Sequence, residues 1–562
     1  QRQMCIRDRK KTITIADTGL GMNEQDLVDN LGTIARSGTR DFIESLTGDR
    51  KNDSSLIGQF GVGFYSSFMV SEKVEVISKK AGEEKAWLWT SDGKGSYEIK
   101  ESERDGHGTT VILHLNEDGA EFANRWSIEN VIKKYSNHIQ FPIYLRYEDT
   151  VYEGEGDKKK PRKEMKENKI NDGTALWKKP KGELKPEDYN EFYKVISHDS
   201  SDPLLHIHTQ AEGALEYTTL FYVPSKAPVD LYFSDYRPGV KLYIKRVFIT
   251  DNDRELMPSY LRFVRGIIDS EDLPLNVSRE TLQHNRVLAK IRSTSVKKIL
   301  SELTVYAGDR EKYDTFYGEF GRQIKEGLYQ DFENRDTLLE LVRFKSTRVE
   351  GYTSLDEYKE RMKPDQKSIY YITGEREETL RESPLLELYR EKDIEVLLMT
   401  DEMDEIVVPS IGRYKDLELK SVNRTDAAED LKSKEDLDKE KELGPVIEKI
   451  KEVLKDRVKD VKASTRLSDS PSCIVADEKD PTVQMQSILK SMGHTDFSGV
   501  KPVLEINPNH EIVKRLNGTE DSTLIEDASF LLLEQAMLIE GMKLANPGQF
   551  VKRLNRFLEK GL

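Results

Sequence analysis

At 562 residues the chain is long enough for three or four domains. Its net charge of −15, from 87 basic and 102 acidic side chains, disfavours nonspecific DNA or RNA binding, which needs a basic surface. Two distant cysteines, Cys5 and Cys473, exclude a disulfide framework, and no apolar run of about 18 residues exists to span a membrane.

The first nine residues are polar, lack a period, and are expected to be an unrelated or artefactual terminus. A β-prone run, Thr12-Ile13-Thr14-Ile15, then leads to Asp17 and turns through Gly19 and Gly21. Asn23–Leu31 follows as an amphipathic helix with Leu27, Val28 and Leu31 on one side. Residues 32–57, rich in Gly, Ser and Thr, suit a segment that moves over a pocket. The next glycine cluster, Gly58-Gln59-Phe60-Gly61-Val62-Gly63-Phe64, precedes an apolar run able to start a helix. Runs at Val74–Ile77, Lys85–Trp89, Tyr97–Ile99 and Thr110–Leu115 read as antiparallel strands, with Trp87 and Trp89 as sheet packing. Residues 152–173, with Lys158-Lys159-Lys160 inside, read as a charged linker.

Residues 174–430 alternate helices and strands, among them the strands Tyr217–Val223 and Lys241–Ile249, and predict a mixed α/β domain. Helical residues 286–330 precede a smaller α/β part marked by Tyr370–Thr373 and Ile394–Met399. A second acid–base run, 414–443, reads as a solvated helix or hinge, and residues 431–562 form the last domain. There, Ser522–Leu544 places Leu524, Ala528, Leu531, Leu538 and Met542 on one helical face. Asn546-Pro547 starts a further helix carrying Phe550, Val551, Leu554 and Leu558. Two such helices cannot bury both faces alone, whereas pairing with a second copy gives a four-helix bundle.

The two glycine stretches carry the chemistry. A carboxylate at a strand end, followed by glycines that admit a flat ligand, can hold a base by its edge. Backbone N–H groups at a helix start can hold phosphates. Neither stretch is a Walker A loop or a Rossmann fingerprint. At this spacing the pair resembles the ATP pocket of the GHKL superfamily. The connection Leu31-Gly32-Thr33-Ile34-Ala35-Arg36-Ser37-Gly38-Thr39 is similar to the ninety-kilodalton heat-shock chaperone family, in its bacterial form. The likeness runs from about residue 12 to the C-terminus.

That resemblance implies an α/β and α+β multidomain protein. Residues 10–151 would be a GHKL (Bergerat-type) α/β sandwich ATP domain, 174–430 a middle domain, and 431–562 a small α+β dimerisation domain. It implies ATP contacts at Asp17, Gly19, Gly21, Met22, Asn30, Arg36, Ser37, Gly58, Gln59, Phe60, Gly61, Val62, Gly63, Phe64 and Thr109. In the irregular loop Leu273-Pro274-Leu275-Asn276-Val277-Ser278-Arg279-Glu280 it implies that Arg279 reaches the γ-phosphate, steadied by Asn276 and Gln283. A guanidinium fork suits charge spread over phosphate oxygens. Met485, Ile488, Leu489 and Met492 look like the family's exposed client-binding stripe, where pliable methionines suit many partners, though core burial competes.

The expected function is that of an ATP-dependent molecular chaperone in the bacterial cytoplasm. It would hold unfolded or partly folded clients in an ATP-driven homodimeric clamp, using ATP with Mg2+ and binding neither nucleic acid nor membrane. The family's general-base Glu and metal-binding Asn precede the first glycine motif, and residues 1–16 contain neither. The alternative is therefore a nucleotide-binding, client-holding chaperone without hydrolysis. A DNA-linked GHKL enzyme is a third reading, disfavoured by the charge.

Overall fold

The structure is a computed structural model that describes residues 2–7, 11–32, 63–153, 160–233, 236–273, 285–431, 444–493 and 499–561. The chain packs as two compact units, Gln1–Val296 and Lys297–Leu562.

The first unit holds two sheets. The larger contains β1 (Arg2–Arg7), β2 (Thr12–Asp17), β3 (Ser71–Lys79), β4 (Ala86–Ser91), β5 (Tyr97–Ser102), β6 (Gly108–Leu115), β7 (Ile143–Glu153) and β8 (Lys160–Lys169). Their order across the sheet is β5-β4-β3-β6-β2-β1-β7-β8. Along β3 the even positions Val74, Val76 and Ser78 are buried, the period-2 signature of a sheet with one face on a core. That core includes Ile13, Leu27, Val74, Val76, Trp89, Leu113 and Leu145. Trp89 is 2% exposed, stacks on Tyr97 and meets Phe64 edge-on, so its role is packing as expected.

Two expectations change here. Residues 2–7, set apart by the sequence, pair antiparallel with β2 and parallel with β7, and Met4 packs against the core. Residues 152–173 are not simply a linker, because β7 and β8 form an antiparallel hairpin at the sheet edge. Its stability is read across the strands rather than along them: Arg146 pairs with Glu167, Lys163 with Glu148 and Lys166 with Asp149. Cross-strand charge pairs leave no apolar period to detect.

The second sheet contains β9 (Leu205–Ala211), β10 (Tyr217–Val223), β11 (Gly239–Ile244), β12 (Val247–Thr250) and β13 (Arg265–Ser270), in the order β12-β11-β13-β10-β9. The stretch Lys241–Ile249, expected as one strand, is the hairpin β11–β12. It turns at Lys245 and Arg246, with φ of 50° and 65°. Lysine and arginine are rarely found in that left-handed region, so no Gly or Asn announced the turn. Trp177 donates to Asp269 Oδ2 at 2.7 Å, and both are fully buried.

The second unit begins within the long helix Arg286–Tyr306 and includes Arg310–Gln330, as the helical reading of 286–330 expected. Its larger sheet has β14 (Lys345–Ser346), β15 (Ser368–Thr373), β16 (Val396–Met399), β17 (Arg413–Tyr414) and β18 (Leu417–Ser421). Its smaller sheet has β19 (Asp460–Ala463), β20 (Ser472–Val475) and β21 (Val503–Ile506). β15 runs parallel to β16 and β18 and is buried at every residue, as a strand covered on both faces must be. The domain boundary expected at 430 does not coincide with a break in packing. Leu467, Cys473, Val475 and Val503 share one apolar cluster with Tyr370, Leu385 and Val396.

The helix Ser522–Ile539 stops before Leu544, and its buried side is Ile525, Ala528, Leu532, Leu533 and Ala536. Of the face expected from sequence, Ala528 is inside, Leu524 and Leu531 are half-buried, and Leu538 is exposed. A helix with apolar residues on more than one face offers two stripes, and periodicity alone does not choose between them. The next helix, Pro547–Gly561, has Asn546 Oδ1 accepting from Gln549 N at 3.1 Å, and leaves Val551, Leu554 and Leu558 exposed.

Candidate functional site: the nucleotide pocket

The site is built around the end of β2. Asp17 Oδ1 accepts from Gly19 N at 2.8 Å and from Thr109 N at 3.2 Å. The first contact is a local Asx turn, while the second crosses 92 residues through the β2–β6 register, in which Ala16 faces Thr110. Asp17 is half-buried, and its Oδ2 has no hydrogen-bond partner among the described residues. A carboxylate held by one oxygen with the other free is a fixed acceptor for a ligand's N–H.

Two glycines allow this arrangement. At Gly21 φ is +69°, and an added Cβ would lie 1.8 Å from Lys79 O. At Gly108 φ is +119°, and an added Cβ would lie 2.3 Å from Asp17 O. Backbone meets backbone at both points, and no side chain fits. Gly19 is less constrained, since its added Cβ would meet Asp17 Oδ1 at 3.0 Å.

Residues that the sequence did not single out hold the turn. Ser78 Oγ accepts from Met22 N at 2.8 Å, donates to Gly108 O at 3.2 Å, and lies 2.9 Å from Thr109 Oγ1. Arg104 donates to Asp17 O and Gly106 O, each at 2.8 Å, and His107 Nδ1 donates to Gly19 O at 2.7 Å. Their only sequence signal is a small polar residue at a buried strand position and a charged turn before Gly108. Both features are common.

The helix Glu24–Leu31 enters through a capping box, with Asn23 Oδ1 accepting from Asp26 N and Asp26 Oδ2 accepting from Asn23 N. Leu27 anchors it in the core. Asn30 Nδ2 donates to Asp26 O at 2.9 Å, whereas its buried Oδ1 is without a hydrogen-bond partner among the described residues. Gly63 and Phe64 open a helix at the apolar run, as expected, and it takes the 3-10 form over Gly63–Met69. Tyr65 joins it to the helix Glu24–Leu31 through Leu31 O at 3.0 Å, and burial raises its phenol pKa. The structure thus brings Asp17, Gly19, Gly21, Met22 and Thr109 together. Arg36, Ser37, Gly58, Gln59, Phe60, Gly61, Val62, Asn276, Arg279 and Gln283 lie outside the described residues.

The stripe expected from the sequence to bind clients is divided. On the helix Val483–Ser491, Ile488 is buried, Met485 and Leu489 are half-buried, and Met492, just beyond, is 61% exposed. Thr482 fixes this helix by accepting from Met485 N and donating to Glu405 Oε2 at 2.8 Å.

Residues 148–562 match the family described as Hsp90 protein. The chain belongs to the Hsp90 family. Residues 4–106 also match the family described as histidine kinase-, DNA gyrase B- and HSP90-like ATPase, which covers β1 to the turn before Gly108. The chain is 56% identical over 575 residues to "Chaperone protein HtpG" of Treponema denticola, covering 99% of this chain and 90% of that one. It is 54% identical over 559 residues to the protein of that name from Wolinella succinogenes, covering 99% and 89%. The corresponding protein of Borreliella burgdorferi is 53% identical over 551 residues, covering 98% and 89%. This Hsp90-family chain is an ATP-dependent chaperone with a GHKL-type ATPase domain.

Gly21→Ala is expected to destabilise the first unit by about 1–3 kcal/mol and to abolish nucleotide binding. Gly82, with φ of +87° and nothing within 4 Å of an added Cβ, supplies the control. Gly82→Ala should carry only the strain and keep binding. Thermal melting with and without ATP separates the two, and equal effects would refute the close-approach argument.

Proposed function

We propose that Asp17 receives the adenine amino group of ATP, and the observation that carries this is its clamped Oδ1 beside an Oδ2 without a partner among the described residues. The Gly19–Gly21 turn admits the ring, and Met22 and Thr109 flank it. Asn30, whose Oδ1 is unpaired among the described residues, lies towards the ribose and phosphates. Backbone N–H groups of Gly58–Phe64 cradle the phosphates. Mg2+ enters with them and offsets their charge; among the described residues no cluster of three His, Cys, Asp or Glu forms a separate metal site. Arg36 and Ser37 belong to the segment that closes over the pocket. Arg279, positioned by Asn276 and Gln283, reaches the γ-phosphate, so only the triphosphate ties the pocket to that loop.

The working unit is a homodimer in the bacterial cytoplasm, and no described helix is long and apolar enough to cross a membrane. The exposed stripe of Leu538, Val551, Leu554 and Leu558 supports pairing of two copies. Unfolded clients are held along the helix that carries Met485, Ile488, Leu489 and Met492, with exposed Met492 as its most accessible contact.

A steady-state ATPase assay on the full chain tests the nucleotide half. Arg279→Ala should lower turnover by on the order of 10²–10³ while leaving ATP affinity nearly unchanged. Unchanged turnover would remove Arg279 from the reaction, and absence of turnover in the parent chain would favour the client-holding reading. Light scattering tests the dimer. Leu554→Asp should convert it to a 64.7 kDa monomer with helix content preserved.

A further inference from the structure

The second unit contains a cavity of about 120 Å³ away from the nucleotide residues. It lies between the segment 374–383, Gln484 on the helix Val483–Ser491, and the C-terminal end of the helix Ser522–Ile539. Leu380, Leu538 and Ile539 form an apolar side, and Glu540, Gln484, Thr379 and Ser383 a polar one.

Two of these polar groups lack donors. Glu540 ends its helix through its backbone N–H, which donates to Ala536 O at 3.2 Å. Its carboxylate makes no hydrogen bond or ion pair among the described residues. Gln484 Oε1 is buried and has no hydrogen-bond partner among the described residues. Glu540 is half-buried, whereas the fully buried charges of this unit are matched among the described residues. Lys325 meets Asp404 at 2.8 Å and Arg466 meets Glu505 at 3.0 Å. Glu387 accepts from the backbone N–H groups of Ser468, Asp469 and Ser470. Two unmatched acceptors lining one cavity cost free energy until a donor arrives from outside.

The lining selects the donor. Five lining side chains carry oxygen, Glu375, Thr379, Ser383, Gln484 and Glu540, and Glu375 is exposed, so the set falls short of the six to eight oxygen ligands a calcium ion takes. An anion is repelled by Glu540. The apolar side calls for methylenes, and the carboxylate for a positive charge with several N–H groups. We propose that this cavity binds the end of a primary alkylammonium group, its N–H donors shared by Glu540 and Gln484 Oε1 and its stem against Leu380, Leu538 and Ile539. The ammonium comes from a free amine or from a lysine side chain of a bound polypeptide. Only the second source rests on the client reading above, since the cavity's chemistry is the same for both.

Binding should be coupled to protons. Burial raises the Glu540 carboxyl to about 7, so near neutral pH the empty site is partly protonated. The other charged groups lining the cavity are Glu375 and Arg376, both on the facing segment and both exposed. An ammonium selects the ionised carboxylate. Its affinity is therefore full above the raised value and falls by about tenfold for each pH unit below it.

Calorimetry and saturation-transfer NMR on the full chain, with n-butylammonium chloride as probe and n-butanol as its neutral counterpart, test the proposal. Butylammonium should bind and butanol should not, and Glu540→Gln should weaken binding by about tenfold or more and remove its pH dependence. Ile539→Ala, which shortens the apolar wall at a part-exposed position, should weaken binding by about threefold with the pH dependence intact. A blocked Ala-Lys-Ala peptide that competes more strongly than butylammonium assigns the site to polypeptide lysines, and weaker competition assigns it to free amines. Equal affinity in Glu540→Gln with an unchanged melting temperature, or butanol binding as well as butylammonium, would overturn the proposal.

Discussion

The hydrogen bond from Thr109 N to Asp17 Oδ1 is the constraint on which the nucleotide pocket depends. It joins two residues 92 positions apart, and it exists only because β2 and β6 are neighbours with Ala16 opposite Thr110. The order of the large sheet, the left-handed backbone at Gly21 and Gly108, and the Ser78 hydroxyl all keep that donor within reach. The aromatic group of Phe64, Trp89 and Tyr97 packs behind the same sheet and stiffens it. A ligand atom meeting Asp17 Oδ2 thus meets a preorganised acceptor, with the cost of holding it already met by folding.

Much of this was legible in the sequence where one local pattern sufficed. Period-2 alternation located β3, β4 and β6, the apolar spacing of Leu27, Val28 and Leu31 located the helix after Asn23, and the paired glycine motifs located Asp17. What escaped was stabilised across the chain rather than along it. The β7–β8 hairpin draws on ion pairs such as Lys166 with Asp149, whose partners lie 17 residues apart. The β11–β12 turn uses Lys245 and Arg246 where Asn or Gly is the usual signal. Ser78 and Arg104 act on backbone carbonyls, so nothing in their local sequence marks them.

The second unit shows a related limit. The sequence marks one apolar face on the helix Ser522–Ile539, but further apolar residues beside that face leave its orientation ambiguous. Packing chose the stripe through Ile525, Ala528 and Leu532, and left Leu538 and Ile539 outside. The same choice places Glu540 and Gln484 on the lining of one cavity, two residues that share no sequence pattern. In both units the chemistry depends on acceptors that the fold fixes and leaves incompletely matched.

The central claim is that Asp17 reads the adenine edge, and calorimetric titration of ATP into the parent chain and Asp17→Asn tests it most directly. The asparagine carbonyl oxygen can still accept from Gly19 N and Thr109 N, so the turn should survive with an unchanged melting temperature. Its amide, however, presents donors where the carboxylate presented an acceptor. The account predicts that ATP affinity falls by about a hundredfold or more in Asp17→Asn. Equal ATP affinity in the two proteins would contradict it.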